Sequence, residues 1–288
     1  MNNHMQLWLI SSTDEMNLNS KEDGIFIVPE LEGLTGLPEI RTSSGVNAGM
    51  DGGWTSAQFF NARLISIRGV IASNDVKAVE DMRRRLNTLL AQGRQEELTL
   101  KFVTEGGYSY SIKARTTAVT MAMDTVLLKQ EFLIQLRADD PVIYGYDESG
   151  GAVAILRVQN PNGGFEINFE LPLLITGGAD YTTIENTGSE VAYPVITLTG
   201  PLHSPTIVNQ TTNQQFQISA DLTALDTVII DSQLKTVTFN GTDYYDAIVD
   251  VSDFVTLAPG SNRVYLTSVV TSDGGKAEIK FKQGYLSI

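Results

Sequence analysis

Between residues 63 and 137 the apolar positions change period, and the change marks out elements. In Arg63-Leu64-Ile65-Ser66-Ile67-Arg68-Gly69-Val70-Ile71 the spacing suits a half-buried strand. Ile65, Ile67 and Val70 are expected on one side, with Arg63 and Arg68 falling between them. Next, Val76, Val79, Met82, Leu86, Leu89 and Leu90 recur in steps of three and four, which line one face of a helix. The helix is expected over residues 74–92, with Asn74 as N-cap, Asp75 at the positive end of the dipole and Gly93 as a left-handed C-cap. Its other face carries Lys77, Glu80, Asp81, Arg83 and Arg84. Strands are expected at 97–103 and 108–114, joined by a turn at Glu105-Gly106-Gly107, and again at 125–137, where Leu127, Leu133 and Leu136 recur. A lone helix gains its stability by packing its apolar face. The unit therefore reads as α+β, one long helix on a mostly antiparallel sheet.

Short strands are also expected at 5–10 and 24–28. Residues 29–58 differ, with Pro29, Pro38 and six glycines between 33 and 53, closed by Trp54, Phe59 and Phe60. Such a stretch is a long loop or an arm, and loops of this length in compact proteins usually serve a function. Ala138-Asp139-Asp140-Pro141 breaks regular structure, and Glu148-Ser149-Gly150-Gly151 is a flexible run, so the domain boundary is drawn here, giving domains 1–140 and 141–288. Beyond it no helical period appears. Short β-prone runs at 152–158, 164–169, 182–185, 194–199, 206–208, 215–219, 227–230, 236–239, 263–270 and 276–281 alternate with turns. The turns include Asn162-Gly163-Gly164, Asn240-Gly241 and Asp273-Gly274-Gly275. That rhythm predicts an all-β sandwich or jelly roll.

Composition changes this picture in three ways. A chain of 288 residues with 42% hydrophobic and 19% charged residues is globular, and its length suits two domains. Its longest apolar runs fall well short of the ~18 residues a membrane-spanning helix needs, and Met1–Ile10 lacks the basic start of a signal peptide. No cysteine is present, so disulfides and cysteine metal sites are excluded. The net charge of −14 is uneven: residues 1–140 hold 14 basic against 18 acidic side chains, and residues 141–288 hold 6 against 16. An acidic surface disfavours tight binding to a phosphate backbone and favours solubility.

The usual catalytic patterns are missing. The two histidines, His4 and His203, have no partner in sequence. There is no phosphate loop and no nucleophile elbow. Asp243, Asp246, Asp250 and Asp253 form an acidic edge without the glycine spacing of a calcium loop. No catalytic residue, cofactor or metal is assigned, and the chain reads as a non-enzyme. A sugar-binding sandwich is the alternative, with Tyr244 and Tyr245 as candidate stacking residues, since both tryptophans, Trp8 and Trp54, lie in the first domain. A jelly-roll hydrolase is the remaining rival.

A run of landmarks resembles a known family. In the first domain these are Arg63-x-Ile65-x-Ile67-x-Gly69-x-Ile71, Arg85-Leu86-Asn87, Leu98-x-Leu100, Tyr108-x-Tyr110 and Ala138-Asp139-Asp140-Pro141-Val142-Ile143-Tyr144. In the second they are Asn186-x-Gly188, Pro194-x-Ile196-x-Leu198-x-Gly200, Pro205-x-Ile207 and Asn209-x-Thr211, followed by Asp226-x-x-x-Ile230-Asp231, Asn240-Gly241 and Leu257-x-Pro259-Gly260-x-Asn262. Their order resembles that of the distal tail proteins of long, non-contractile-tailed phages. Residues 29–58 depart from the family pattern. The resemblance implies a belt domain and a galectin-like β-sandwich. It implies six copies in a ring at the tail tip, with the tail tube protein above, a tail-associated lysin or fibre below and receptor-binding proteins on the rim. DNA would pass through the channel unbound, and the protein would sit in the virion after assembly in the host cytoplasm, without membrane insertion. Trp54 on the arm and Lys77, Glu80, Arg83 and Arg84 on the helix are then the candidate ring-interface residues.

Overall fold

The computed structural model describes residues 5–20, 25–122, 129–146, 151–158, 181–270 and 274–288, with the main chain only for 25–30. The expected segment 164–169, the start of the expected strand at 125–137 with Leu127, the turns at Asn162 and Asp273, the run from Glu148 to Gly150, and His4 lie outside these residues. The chain forms two compact units, Met1–Asp147 with Tyr285–Ile288, and Glu148–Gly284.

The first unit holds β1 (Gln6–Ile10), β2 (Glu15–Asn17), β3 (Ile25–Glu32), β4 (Ile40–Arg41), β5 (Ser44–Val46), β6 (Gly53–Thr55), β7 (Phe59–Phe60) and β8 (Arg63–Ala72). After these come α1 (Val76–Gln92), β9 (Leu98–Val103), β10 (Ser109–Met121), β11 (Lys129–Ala138) and β12 (Ile143–Gly145). The main sheet runs β2-β1-β9-β10-β11-β8-β3, and its described ladders are all antiparallel. β10 belongs to both halves of it. Residues 109–114 pair with β9, residues 115–121 pair with β11, and the register shifts between Thr116 and Ala118. A bulge at such a switch bends the strand. The fold class expected from the sequence, one helix on a mostly antiparallel sheet followed by an all-β part, is the one found.

Several local expectations change. The helix begins one cap later than expected. Asp75, not Asn74, is the N-cap, and its carboxylate accepts from the Lys77 amide at 3.1 Å. Val79, Met82, Leu86, Leu89 and Leu90 face the core, but Val76 is 60% exposed at the open first turn. Gly93 is right-handed (φ −60°), not left-handed. It is required for closeness instead. A Cβ there would lie 2.6 Å from Leu98 Cδ1 and collide with Thr116 Oγ1, while its carbonyl accepts from the Thr116 amide at 3.0 Å. In β8 the buried face is Arg63, Ile65, Ile67, Gly69 and Ile71, all of one parity. Val70 therefore points the other way, and Arg63 goes inward with the isoleucines.

Arg63 is 2% exposed. Its Nε donates to Pro141 O at 2.8 Å, one terminal nitrogen donates to Gly33 O and Gly36 O at 2.6 and 2.9 Å, and the other to Leu286 O at 2.7 Å. One guanidinium thus joins the chain entering residues 37–60, the corner at the end of β11 and the C-terminal residues. Asp140 sets that corner. It accepts from the Val142 amide and from the Tyr144 hydroxyl. Elsewhere in this unit Arg85 grips Asp14 with two nitrogens at 3.0 and 2.7 Å and donates to Glu15 O, so α1 is fastened to the β1–β2 turn.

The second unit begins with β13 (Ala152–Arg157), β14 (Thr182–Asn186), β15 (Val195–Thr199), β16 (Leu202–His203), β17 (Thr206–Asn209), β18 (Gln214–Gln217) and β19 (Asp221–Leu222). It continues with β20 (Thr227–Asp231), β21 (Thr236–Phe239), β22 (Thr242–Asp243), β23 (Gly260–Thr267) and β24 (Lys276–Phe281); β25 (Gly284–Tyr285) pairs with β12. A six-stranded sheet, β13-β24-β15-β20-β21-β22, and a four-stranded one, β14-β23-β17-β18, line a single core. Ile196, Leu198, Val228, Ile230 and Ile279 come from the first sheet, and Ile207, Phe216, Val264 and Leu266 from the second. Alternate residues face in, which is why the strands read as period two. His203 lies in β16 rather than in a turn.

Two substitutions test this account. Arg63→Leu leaves four main-chain acceptors short of a donor and should lower the stability of the first unit by at least about 3 kcal/mol. Urea unfolding followed by tryptophan fluorescence reads that unit alone, since Trp8 and Trp54 both lie in it. Gly93→Ala should destabilise by about 1–3 kcal/mol, although alanine at a right-handed helix end is ordinarily favourable. An unchanged midpoint would show that the close approach relaxes freely.

Candidate interaction surfaces

The stretch expected as a loop or arm is a stepped hairpin. β4 pairs with β7 and β5 with β6, and the amides of Asn61, Ser56 and Asn47 bridge the steps. Its tip turns through Gly49 and Gly52, both at positive φ. The root is fixed by the two Arg63 bonds to Gly33 and Gly36 and by Leu34, which is fully buried. The hairpin is too thin to have a core of its own. Leu37, Ile40, Val46, Met50, Trp54 and Phe59 are all exposed, Val46 by 86% and Trp54 by 54%. The Trp54 indole lies flat over Gly45, where a Cβ would come within 2.8 Å of it. Arg41 sits 5.7 Å from the Phe59 ring centroid. A concentration of exposed apolar side chains on one hairpin makes it a candidate interaction surface.

The helix candidates divide. Lys77, Glu80 and Arg84 are exposed, and Arg84 makes only a loose pair with Asp81 at 3.8 Å. Arg83 is half-buried and lines an open hollow of about 360 Å³ with Asn87, Val119, Met121 and Gln130. Trp54 and the helix face are distinct parts of the first unit. Tyr244 is half-buried with its ring 5.0 Å from that of Phe239, and the Tyr245 hydroxyl donates to Lys235 O at 3.0 Å. The two rings are thereby held by their own fold. Among the described residues no group of acidic or histidine side chains is placed to hold a metal ion, and no helix is long and apolar enough to cross a membrane.

The second-unit landmarks turn out to be fasteners. Asn186, Asn209 and Asn262 are fully buried, and all three fix the loop at 256–260. Asn186 Nδ2 donates to Leu257 O and Glu190 O while its Oδ1 accepts from Gly188 N. Asn209 Nδ2 donates to Thr256 O and Asn262 Oδ1, and its Oδ1 accepts from Thr211 N. Asn262 bonds both the amide and the carbonyl of Ala258. Asp226 accepts from the Thr223 amide and hydroxyl and from Asn240 Nδ2, with Asn240 and Gly241 turning at positive φ. Sequence reading found these residues but gave them no task. Their task was readable, because Asn-x-Gly and Asn-x-Thr are local side-chain-to-amide turns.

The described residues thus form a helix-on-sheet unit with an exposed apolar hairpin, and a β-sandwich. Residues 187–285 match the family model for the siphovirus-type tail component, C-terminal domain. The solved structure of the Dit (gp 19.1) protein of phage SPP1, called a paradigm of the hub adsorption apparatus in phages infecting Gram-positive bacteria, shares this fold. The TM-score is 0.68 with 15% identity, over 96% of this chain and 98% of that one. A chain of the activated phage P2 baseplate with Ca matches more loosely, at TM-score 0.49 and 11% identity over 97% and 98% of the two chains. No curated protein matches the sequence. The landmark resemblance is thus supported over residues 187–285 by the tail-component model, and the fold of the chain is that of the SPP1 Dit structure.

Hydrogen bonds from Thr223 first, then Asn240 and a backbone amide, hold the Asp226 carboxyl below its ordinary value. A depressed carboxylate stabilises the fold above its unfolded pKa of about 3.9 and loses that contribution as pH falls through the lower folded value. Asp226→Asn should therefore melt below wild type at pH 7. The gap should close as the pH drops below about 4, as thermal melts across that range would show.

Proposed function

We propose that this chain is the structural hub of a siphovirus tail tip. Six copies form a closed ring that continues the tail tube, and the hub docks a tail-associated lysin or fibre below and receptor-binding proteins on its rim. The genome passes through the channel unbound, and assembly takes place in the host cytoplasm. The first unit is the ring-forming belt, and the second is a galectin-like adaptor domain. Its role is structural and not catalytic. The observation that carries this reading is the apolar hairpin at 37–60, anchored by Arg63 and covered by nothing in its own unit among the described residues. A head-to-tail ring needs such a projection, because each copy must offer one surface and receive another. Lys77, Glu80, Arg83 and Arg84, on a separate part of the same unit, are the further candidate ring contacts. The tail-component match and the shared fold support the tail assignment.

Light scattering with negative-stain microscopy tests it. Six protomers of 31.4 kDa give a ring of about 188 kDa. Val46→Ser with Trp54→Ser should shift the mass to monomer with little change in melting temperature, since neither side chain is in the core. A ring that survives the double substitution would remove the hairpin from the interface.

A further inference from the structure

The second unit is acidic overall, yet its few cations are gathered. Four of the six basic residues beyond position 140, Arg157, Lys276, Lys280 and Lys282, lie on or just after β13 and β24, at one side of the six-stranded sheet. The register sets Arg157 directly opposite Lys276, and Val153 opposite Lys280, on the sheet's outer face. Like charges facing across a strand pair are unfavourable in isolation. Neither Arg157 nor Lys276 has an ion-pair partner among the described residues. The Glu278 carboxylate, between Lys276 and Lys280 on β24, is the acid of this row. Exposed Val153 and Ile155 stand beside it.

The far side of the same sheet is the reverse. β22 ends it, and Asp243, Asp246, Asp250 and Asp253 are exposed on β22 and the segment after it. That segment runs along β18 through the Val249-to-Gln217 and Asp253-to-Gln215 amide bonds, so it closes this side of the sandwich. Tyr245 and Val251 are its exposed apolar side chains. Five strand spacings, roughly 24 Å, separate the two edges. Each edge thus combines apolar side chains with an excess of one sign of charge, four cations against Glu278 on the first and four aspartates on the second, and the two excesses are opposite.

We propose that these edges dock on one another between successive copies of this chain, the β13–β24 edge of one second unit against the 243–253 edge of the next. The inference rests on the ring reading and adds to it a second, outer contact. The occupant follows from charge complementarity: the aspartates of a neighbour relieve the Arg157–Lys276 repulsion, and the two apolar pairs meet. Such a contact is heterologous, which is what a closed ring requires.

The absence of cysteine gives a clean test. Full-length Ile155→Cys and Asp246→Cys proteins are mixed and treated with a short bismaleimide, and the same samples are weighed by light scattering. The mixture should give a 155-to-246 cross-link well above either protein alone. Arg157→Glu with Lys276→Glu in the first protein should cut the yield about tenfold. Asp243→Lys with Asp250→Lys in its partner should restore it, which rules out simple misfolding. Six-copy mass without the cross-link, or a yield indifferent to charge reversal, overturns the edge contact and leaves the ring intact. A charge-dependent cross-link without six-copy mass keeps the contact and overturns the ring.

Discussion

Arg63 is the side chain on which the first unit depends. A guanidinium taken out of water is costly unless all its donors are used. Here four of its five N–H donors are used, on carbonyls from three parts of the chain, at Gly33 and Gly36, at Pro141 and at Leu286. Burial pushes its pKa down, but an arginine keeps its charge through any such shift. The charge must therefore stay satisfied, and the three segments must stay together. This explains why a hairpin with no core can project from a fixed root. It also explains why the last four residues belong to the first unit although nearly 140 residues of the second precede them.

The second unit meets the same constraint with neutral groups. Asn186, Asn209 and Asn262 each offer donors and an acceptor, and they spend both on the backbone around 256–260. That loop crosses one end of the sandwich, where the strand ladders leave amides and carbonyls unpaired. The family landmarks are thus geometric instructions. They state where the chain turns and which loop it ties, and they leave the sandwich faces free to vary. A match to such landmarks speaks for the fold without identifying what docks on the faces.

The sequence showed most clearly what periodicity can show. Ile65 and Ile67 against Leu86, Leu89 and Leu90 announced a helix on a sheet, and the short runs after residue 150 announced the sandwich. It was misleading where one residue serves two ends. Gly93 looked like a left-handed cap because glycine usually is one there, but close packing on Leu98 and Thr116 selected it. Arg63 was placed outside because it is charged, although its parity with Ile65 and Ile67 puts it inside. The hairpin at 37–60 was legible only as an arm. Its strands are two or three residues long and carry apolar side chains that face no core of their own, so neither period two nor period 3.6 could appear. An element whose apolar pattern is not completed within its own unit hides from periodicity for that reason.

Magnitudes decide how much that hairpin can do. Covering its six exposed apolar side chains is worth roughly 1–2 kcal/mol each after allowing for the area already hidden. The gain is then of order 6–12 kcal/mol, against an association cost of about 4–15 kcal/mol. A single arm contact therefore sits near balance, and an isolated pair of copies would form weakly. Ring closure changes the arithmetic, because the last copy added makes two contacts for one loss of translational freedom. An arm of this strength would suit the proposed ring, which would then form cooperatively once enough copies are present. Any further contact between copies, such as one between oppositely charged edges of neighbouring sandwiches, would act on that same near-balanced equilibrium.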